Sequence, residues 1–224
     1  MNKILEYLTT LEQNNNREWY HANKELYKEA NKSFEALIYH LMLSLREGDK
    51  ELPLAEPKAL TFKLTRDTRF SHDKSPYNPS FRAHLSYQGK LPIPVGYYLM
   101  IRPGDRSFLG GGLFTDMFKN ATTMVRDYIM GHGEEWEKII SASSFAENFS
   151  VGGIALKNVP RGYDPTHPQA EYLKNKSWYL EYPVSDKQLT DVNFIDFATD
   201  IFLKMKPFNL FLNRALKDFQ MPAR

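Results

Sequence analysis

The sequence predicts an α+β fold, with a central antiparallel sheet of about five or six strands and N- and C-terminal helices packed on it. Three observations predict it. Apolar residues recur at helical spacing near both ends of the chain. Short alternating segments fill the middle. The links between them are too short for crossover helices, the clearest being Pro103-Gly104-Asp105-Arg106 between 95–102 and 107–114. With 224 residues, 42% of them hydrophobic, the chain has material for one core, so a single domain over 1–224 is expected.

Taken in order, Ile4, Leu5, Leu8 and Leu11 mark a first helix, which Gln13-Asn14-Asn15-Asn16 stops because asparagine competes for backbone hydrogen bonds. Asn16 can cap a second helix, Glu18 suits its first turn, and Trp19 anchors the junction. Leu26, Ala30, Phe34, Leu37, Ile38, Leu41 and Leu45 form the stripe of a long amphipathic helix ending at Gly48. Residues 59–64 and 81–87 read as strands separated by a polar loop, 65–80, containing Pro76 and Pro79. Helical period returns over 115–130, through Met117, Ala121, Met124 and Val125, and briefly around Trp136 and Ile139. Residues 151–156 read as a strand, 168–176 as a short helix and 179–184 as an edge strand. Phe194, Ile195, Ala198, Ile201, Phe202 and Met205 predict a C-terminal helix. Pro207 is expected to interrupt it before a second stripe at Phe211, Leu212, Ala215 and Phe219.

Composition bounds the function. Without cysteine, disulfides, thiolate zinc sites and cysteine nucleophiles are excluded. The N-terminus lacks the apolar run of a signal peptide, and FEALIYHLMLSL is too short to span a bilayer, so a cytoplasmic protein without a membrane partner is expected. The formal charge of +2 hides an asymmetry. Residues 58–106 carry nine Lys or Arg and three Asp or Glu, an excess of six positive charges, so the rest of the chain is net acidic.

Within that window the densest segment is Thr65-Arg66-Asp67-Thr68-Arg69-Phe70-Ser71-His72-Asp73-Lys74-Ser75-Pro76-Tyr77. If the chain turns after Arg66, the heads of Arg66, Arg69 and Lys74 can converge on a phosphate or carboxylate, supported by Tyr77 and Arg82. The same residues can equally form an ion-pair network that pins the loop. Asp67, His72 and Asp73 are the candidate proton-transfer groups, although Asp67 and Asp73 also suit the orienting of Arg or Lys side chains. Gly110-Gly111-Gly112 allows close backbone approach, with Gly111 and Gly112 either at the edge of a ligand or in tight strand packing. Lys176 lies on a solvated face or on the rim of the same anion site. The glycines belong to neither a P-loop nor a dinucleotide fingerprint, and the six histidines show no metal spacing; no cofactor and no metal are expected.

These segments also carry a resemblance. Asn15-Asn16-Arg17-Glu18-Trp19, Arg66-Asp67-Thr68-Arg69-Phe70-Ser71 with Asp73-Lys74-Ser75-Pro76-Tyr77, Gly96-Tyr97-Tyr98, Gly111-Gly112, Arg126, Pro160-Arg161-Gly162-Tyr163-Asp164, His167-Pro168 and Lys176 together resemble the family catalogued as domain of unknown function 2461. The match runs over nearly the whole chain. It departs from the family pattern at Asn78, where lysine is common, and at Leu113-Phe114-Thr115, where an aromatic then a proline is usual. The resemblance implies a soluble, bacterial-type α+β protein and carries over no activity and no catalytic residue.

The first functional expectation is therefore a pocket for a small phosphorylated or carboxylated ligand, with or without turnover. The alternatives are a nucleic-acid module using the basic window with Tyr77, Tyr87, Tyr97 and Tyr98, and a structural or partner-binding protein in which the loop is a clamp.

Overall fold

The computed structural model describes residues 1–114 and 118–222. Ten helices and four strands are found among them. Helices α1 (Asn2–Gln13), α2 (Arg17–Ala22), α3 (Lys24–Gly48) and α4 (Pro57–Leu60) come first. Strands β1 (Phe81–Leu85), β2 (Tyr97–Ile101) and β3 (Ser107–Leu113) are next in the chain. Then come α5 (Lys119–Gly131), α6 (Gly133–Ser141), α7 (Ser143–Ala146) and α8 (Ala170–Leu173), and last β4 (Trp178–Val184), α9 (Asp186–Thr190) and α10 (Phe194–Ala215).

The strands form one antiparallel sheet in the order β1-β2-β3-β4. The fold class is thus α+β, but the expected five or six strands are four. The expectation that only terminal helices pack on the sheet is also corrected. α4 borders β1, and the α5–α8 excursion enters between β3 and β4, so helices flank the sheet on both sides. Two expected strands account for the difference. In 59–64, Pro57 starts a helical turn instead, and Thr61 makes only an isolated bridge to Ala83. In 151–156, Gly152 and Ala155 make isolated bridges to Tyr179 and Asn175. A Cβ at Gly153 would stand 2.2 Å from the Ser177 carbonyl oxygen, so the backbones approach too closely for a regular side-chain ladder.

The junction after α1 forms through local chemistry. The Asn16 side chain accepts the Trp19 N–H at 2.9 Å, capping α2, which has Glu18 in its first turn. Ile4, Leu8 and Leu11 of α1 and Phe34, Ile38 and Leu41 of α3 are buried. Contrary to expectation, α10 runs unbroken through Pro207. A proline inside a helix costs about 3 kcal/mol. Here Phe202, Met205, Phe208, Phe211 and Leu212 are all fully buried on either side of it, and that burial outweighs the lost bond. The expected helix over 115–130 starts at Lys119 in the described chain; Thr115, Asp116 and Met117 lie outside the described residues.

α10 seats on β3 where the glycines leave space. A Cβ at Gly111 would meet Met205 Sδ and Asn209 Oδ1, each at 3.1 Å. The buried Asn209 amide accepts the Gly112 N–H at 2.8 Å and donates to the Gly96 carbonyl at 3.1 Å. One turn on, Asn213 exchanges two hydrogen bonds with the Val95 backbone, at 2.8 and 3.0 Å.

This packing sets two measurable stability effects. Gly112 has φ +87°, and a Cβ there would lie 2.4 Å from the Trp178 carbonyl oxygen. Gly112→Ala is expected to lower unfolding free energy by more than about 2 kcal/mol in urea denaturation. His84 of β1 is buried, and desolvation pushes its imidazole down to about 4 despite a hydrogen bond with the Leu91 backbone. A depressed folded value means that the neutral ring contributes stability above the unfolded value near 6.5. That contribution is lost as pH falls toward 4. The loss is on the order of 3 kcal/mol, and His84→Gln is expected to flatten this part of the stability profile.

Candidate functional site

The 65–77 loop is closed at its base by backbone pairing. Arg66 N–H donates to the Pro76 carbonyl at 2.9 Å, Asn78 N–H to the Leu64 carbonyl at 2.7 Å, and Thr65 bridges Tyr77. Asn15, in the turn after α1, brackets Tyr77. Its amide donates to the Tyr77 carbonyl at 2.9 Å and accepts the Tyr77 N–H at 3.1 Å. The Tyr77 ring is buried and stacks on Tyr20 with centroids 4.1 Å apart. Tyr77 is thus a structural anchor whose edge reaches the site.

Within the loop the charges pair locally. Arg66 pairs with Asp73 and donates to the Ser75 carbonyl at 3.3 Å. Hydrogen bonds from Ser75, and then the Arg66 guanidinium, hold the Asp73 carboxyl well below the usual carboxylate range. At the exposed tip, Arg69 makes a fork with Asp67, Nε to Oδ1 at 3.0 Å and Nη2 to Oδ2 at 2.6 Å, which lowers the Asp67 carboxyl. Lys74 Nζ donates to the Thr68 carbonyl at 3.0 Å, and His72 is exposed. Arg69 and Lys74 therefore lie at the tip, while Arg66 turns toward the base. Asp67 and Asp73 are held apart, each by its own arginine, and carboxylates kept this acidic are weak proton acceptors.

The base of the loop opens on a polar cleft of about 360 Å³. Arg66, Asp73, Ser75 and Tyr77 line it with Glu12, Asn15, Asn78 and Arg102. Glu12, in the last turn of α1, is shared by two arginines of the β2–β3 hairpin. Arg102 Nη2 lies at 2.9 Å, and Arg106 reaches it through Nη1 at 3.1 Å and Nη2 at 2.5 Å. The Arg106 hydrogen bonds, then those of Arg102, bring the Glu12 carboxyl down to about 2. The Arg102 Nε is buried without a hydrogen-bond partner in the structure.

The remaining sequence candidates stand elsewhere. Arg82 Nη2 donates to the Lys63 carbonyl at 3.1 Å, and its guanidinium lies over the Phe62 ring. Gly111 and Gly112 are buried at the α10 contact. Lys176 sits beyond α5, its backbone bonded to Ile154 and Thr122. Arg102 and Arg106 belong to the basic window, but their hairpin meets α1 at Glu12 only in the folded chain. The separation of 90 residues and more leaves no local signal. A cleft of about 850 Å³ lies between α6 and residues 167–169. Its His167 Nδ1 is already occupied by the Gln169 N–H at 3.0 Å. Among the described residues no three His, Asp or Glu side chains are placed to hold a metal ion. No helix of the described chain is long and apolar enough to cross a membrane.

The two ends of the loop make different demands on stability. Asn15→Ala removes both bonds bracketing Tyr77 and is expected to cost about 1–2 kcal/mol. Arg69→Ala, at a fully exposed fork, is expected to leave the urea midpoint unchanged.

No curated protein and no solved structure matches the chain. One family does, over residues 3–211, a span that takes in the turn at Asn15, the 65–77 loop, the hairpin arginines and the α10 seat on the sheet. The chain belongs to the conserved hypothetical protein family DUF2461.

Proposed function

We propose that the protein binds a small phosphorylated or carboxylated ligand in the cleft at the base of the 65–77 loop, with Arg66 and Arg102 as its principal contacts. The observation that carries this reading is the shared carboxylate. Two hairpin guanidinium groups divide Glu12 between them, and the Arg102 Nε–H is left over. Each guanidinium offers five N–H donors in a rigid fork. Arg66, Arg102 and Arg106 face Glu12 and Asp73, and Asp186 acts on Arg106 as well, so the cluster is balanced in formal charge and rich in N–H donors. Glu12 and Asp73 stay ionised at neutral pH, their carboxyls lowered by these same contacts. Asn15 and Asn78 add neutral amides to the lining, so an anion entering there meets guanidinium and amide donors together.

Arg69 and Lys74 belong to the loop tip, where they act on approach more than on contact. The reading is of binding; the lowered Asp67 and Asp73 carboxyls do not favour a proton-transfer role for either.

The test is calorimetric titration and thermal shift with inorganic phosphate, pyrophosphate and citrate at low ionic strength. At least one is expected to bind saturably and raise the melting temperature by mass action on the native state. Arg102→Gln and Arg66→Gln are expected to weaken that binding at least about tenfold, the loss of a charge-assisted bond. Arg69→Ala is expected to leave it within about twofold, as a screened surface charge would. Absence of binding by all three anions, or binding that survives both glutamine variants, rejects the proposal.

A further inference from the structure

A second surface is independent of that cleft. On the sheet face turned away from α10, partly buried rings form a connected strip. Phe62, beside β1, lies 6.2 Å from Tyr98 of β2. Tyr98 stands 5.7 Å from Phe108 of β3 and 5.5 Å from Phe114. Phe114 stacks on Tyr179 of β4 at 4.9 Å, with planes 13° apart. Gly110 makes the strip continuous. It pairs with Tyr98 in the ladder, and a Cβ there would be 2.8 Å from Phe114 Cζ, so its missing side chain is the space in which Phe114 lies.

The charges beside the strip are arranged by sign. Arg82 lies over the Phe62 ring with its guanidinium 5.5 Å from the centroid, and burial raises the Tyr98 phenol against a lowering contact from the same Arg82. Lys63 is exposed next to Phe62, and Lys90 Nζ reaches the Thr61 carbonyl at 3.2 Å. On the opposite strand the face carries Glu181. Cations thus border the β1 side, and an acid stands on the β4 side.

We propose that this face binds single-stranded nucleic acid, its bases stacking on the Tyr98–Phe108–Phe114–Tyr179 rings and its phosphates following Lys63, Arg82 and Lys90. Rings across a sheet, with cations along one edge, present the two elements that single-strand recognition needs. The first is π faces that accept any base, and the second is positive charge that tracks a backbone. A stacked duplex buries the base faces this strip would take, so an intact double helix fits it poorly. Of the tyrosines in the basic window, only Tyr98 belongs to the strip; Tyr77 and Tyr97 are buried in the core.

The experiment measures fluorescence anisotropy of a labelled oligothymidine and of a duplex of equal length, against the full chain. The single strand is expected to bind, more tightly than the duplex, with affinity falling steeply as salt rises. Phe108→Leu and Tyr179→Leu keep apolar bulk and remove the π face. Each is expected to weaken binding roughly fivefold or more while circular dichroism and melting temperature hold. Lys63→Gln, at an exposed position that does not threaten folding, is expected to weaken binding and to reduce the salt slope by about one. Arg102→Gln is expected to leave oligonucleotide binding unchanged, which separates this surface from the anion cleft. No anisotropy change at low salt, a duplex bound as tightly as the single strand, or folded leucine variants that bind like the parent chain would each overturn the proposal.

Discussion

The contact between α10 and the glycine run of β3 governs how every other element is placed. A helix can approach a strand this closely only where the strand has no side chains in the way, and Gly111 provides that gap under Met205 and Asn209. Close approach would bury backbone groups without partners. Asn209 resolves this by satisfying the Gly112 N–H and the Gly96 carbonyl with one side chain, and Asn213 does the same for Val95. Once α10 is fixed, α3 packs beside it and α1 against α3, so the end of α1 is delivered to the β2–β3 hairpin. The polar cleft is the place where that delivery ends.

Electrostatics then sort the basic residues by what lies near them in space. In the loop, Asp67 and Asp73 satisfy the nearest guanidinium groups, and these exposed pairs fix geometry more than they add stability. At the hairpin a single carboxylate serves two arginines, one of which also lies near Asp186. An excess of six positive charges over 58–106 is therefore not one patch. It is divided among the loop tip, the cleft where the hairpin meets α1, and a cationic margin beside the aromatic strip. These settings have different dielectric surroundings, so equal formal charges have different capacities to hold a ligand.

Much of the helical part is legible in the chain itself. Of the stripe from Leu26 to Leu45, Ala30 onward is buried while Leu26 is exposed, and Asn16 caps α2 through its side chain, because period and capping act within a few residues. The sheet is less legible. Residues 59–64 and 151–156 have strand-like composition, but Pro57 turns one into a helix start, and Gly152-Gly153 bring the other too close to its neighbour to extend a ladder. Pro207 misleads in the opposite direction. Local propensity forbids it in a helix, and burial of the residues around it overrides that propensity. Of the candidate site residues, Arg66, Asp73 and Tyr77 line the cleft, while Glu12 and Arg102 carry no local sign of belonging to it.

Residue order is enough to specify the α+β class, the run of helices at each end, the hairpin at 103–106, and a loop at 65–77 dense in opposite charges. Each of these is written in neighbouring residues, where spacing and side-chain chemistry act directly. It takes the folded chain to set Arg69 against Asp67 at a tip, to share Glu12 between Arg102 and Arg106, and to bring Phe62, Tyr98, Phe114 and Tyr179 into contact across four strands. The sharing of Glu12 and the aromatic strip join segments tens of residues apart. The first follows the seating of α10, α3 and α1, and the second follows strand pairing and the space left at Gly110; both are long-range packing events that no local pattern encodes.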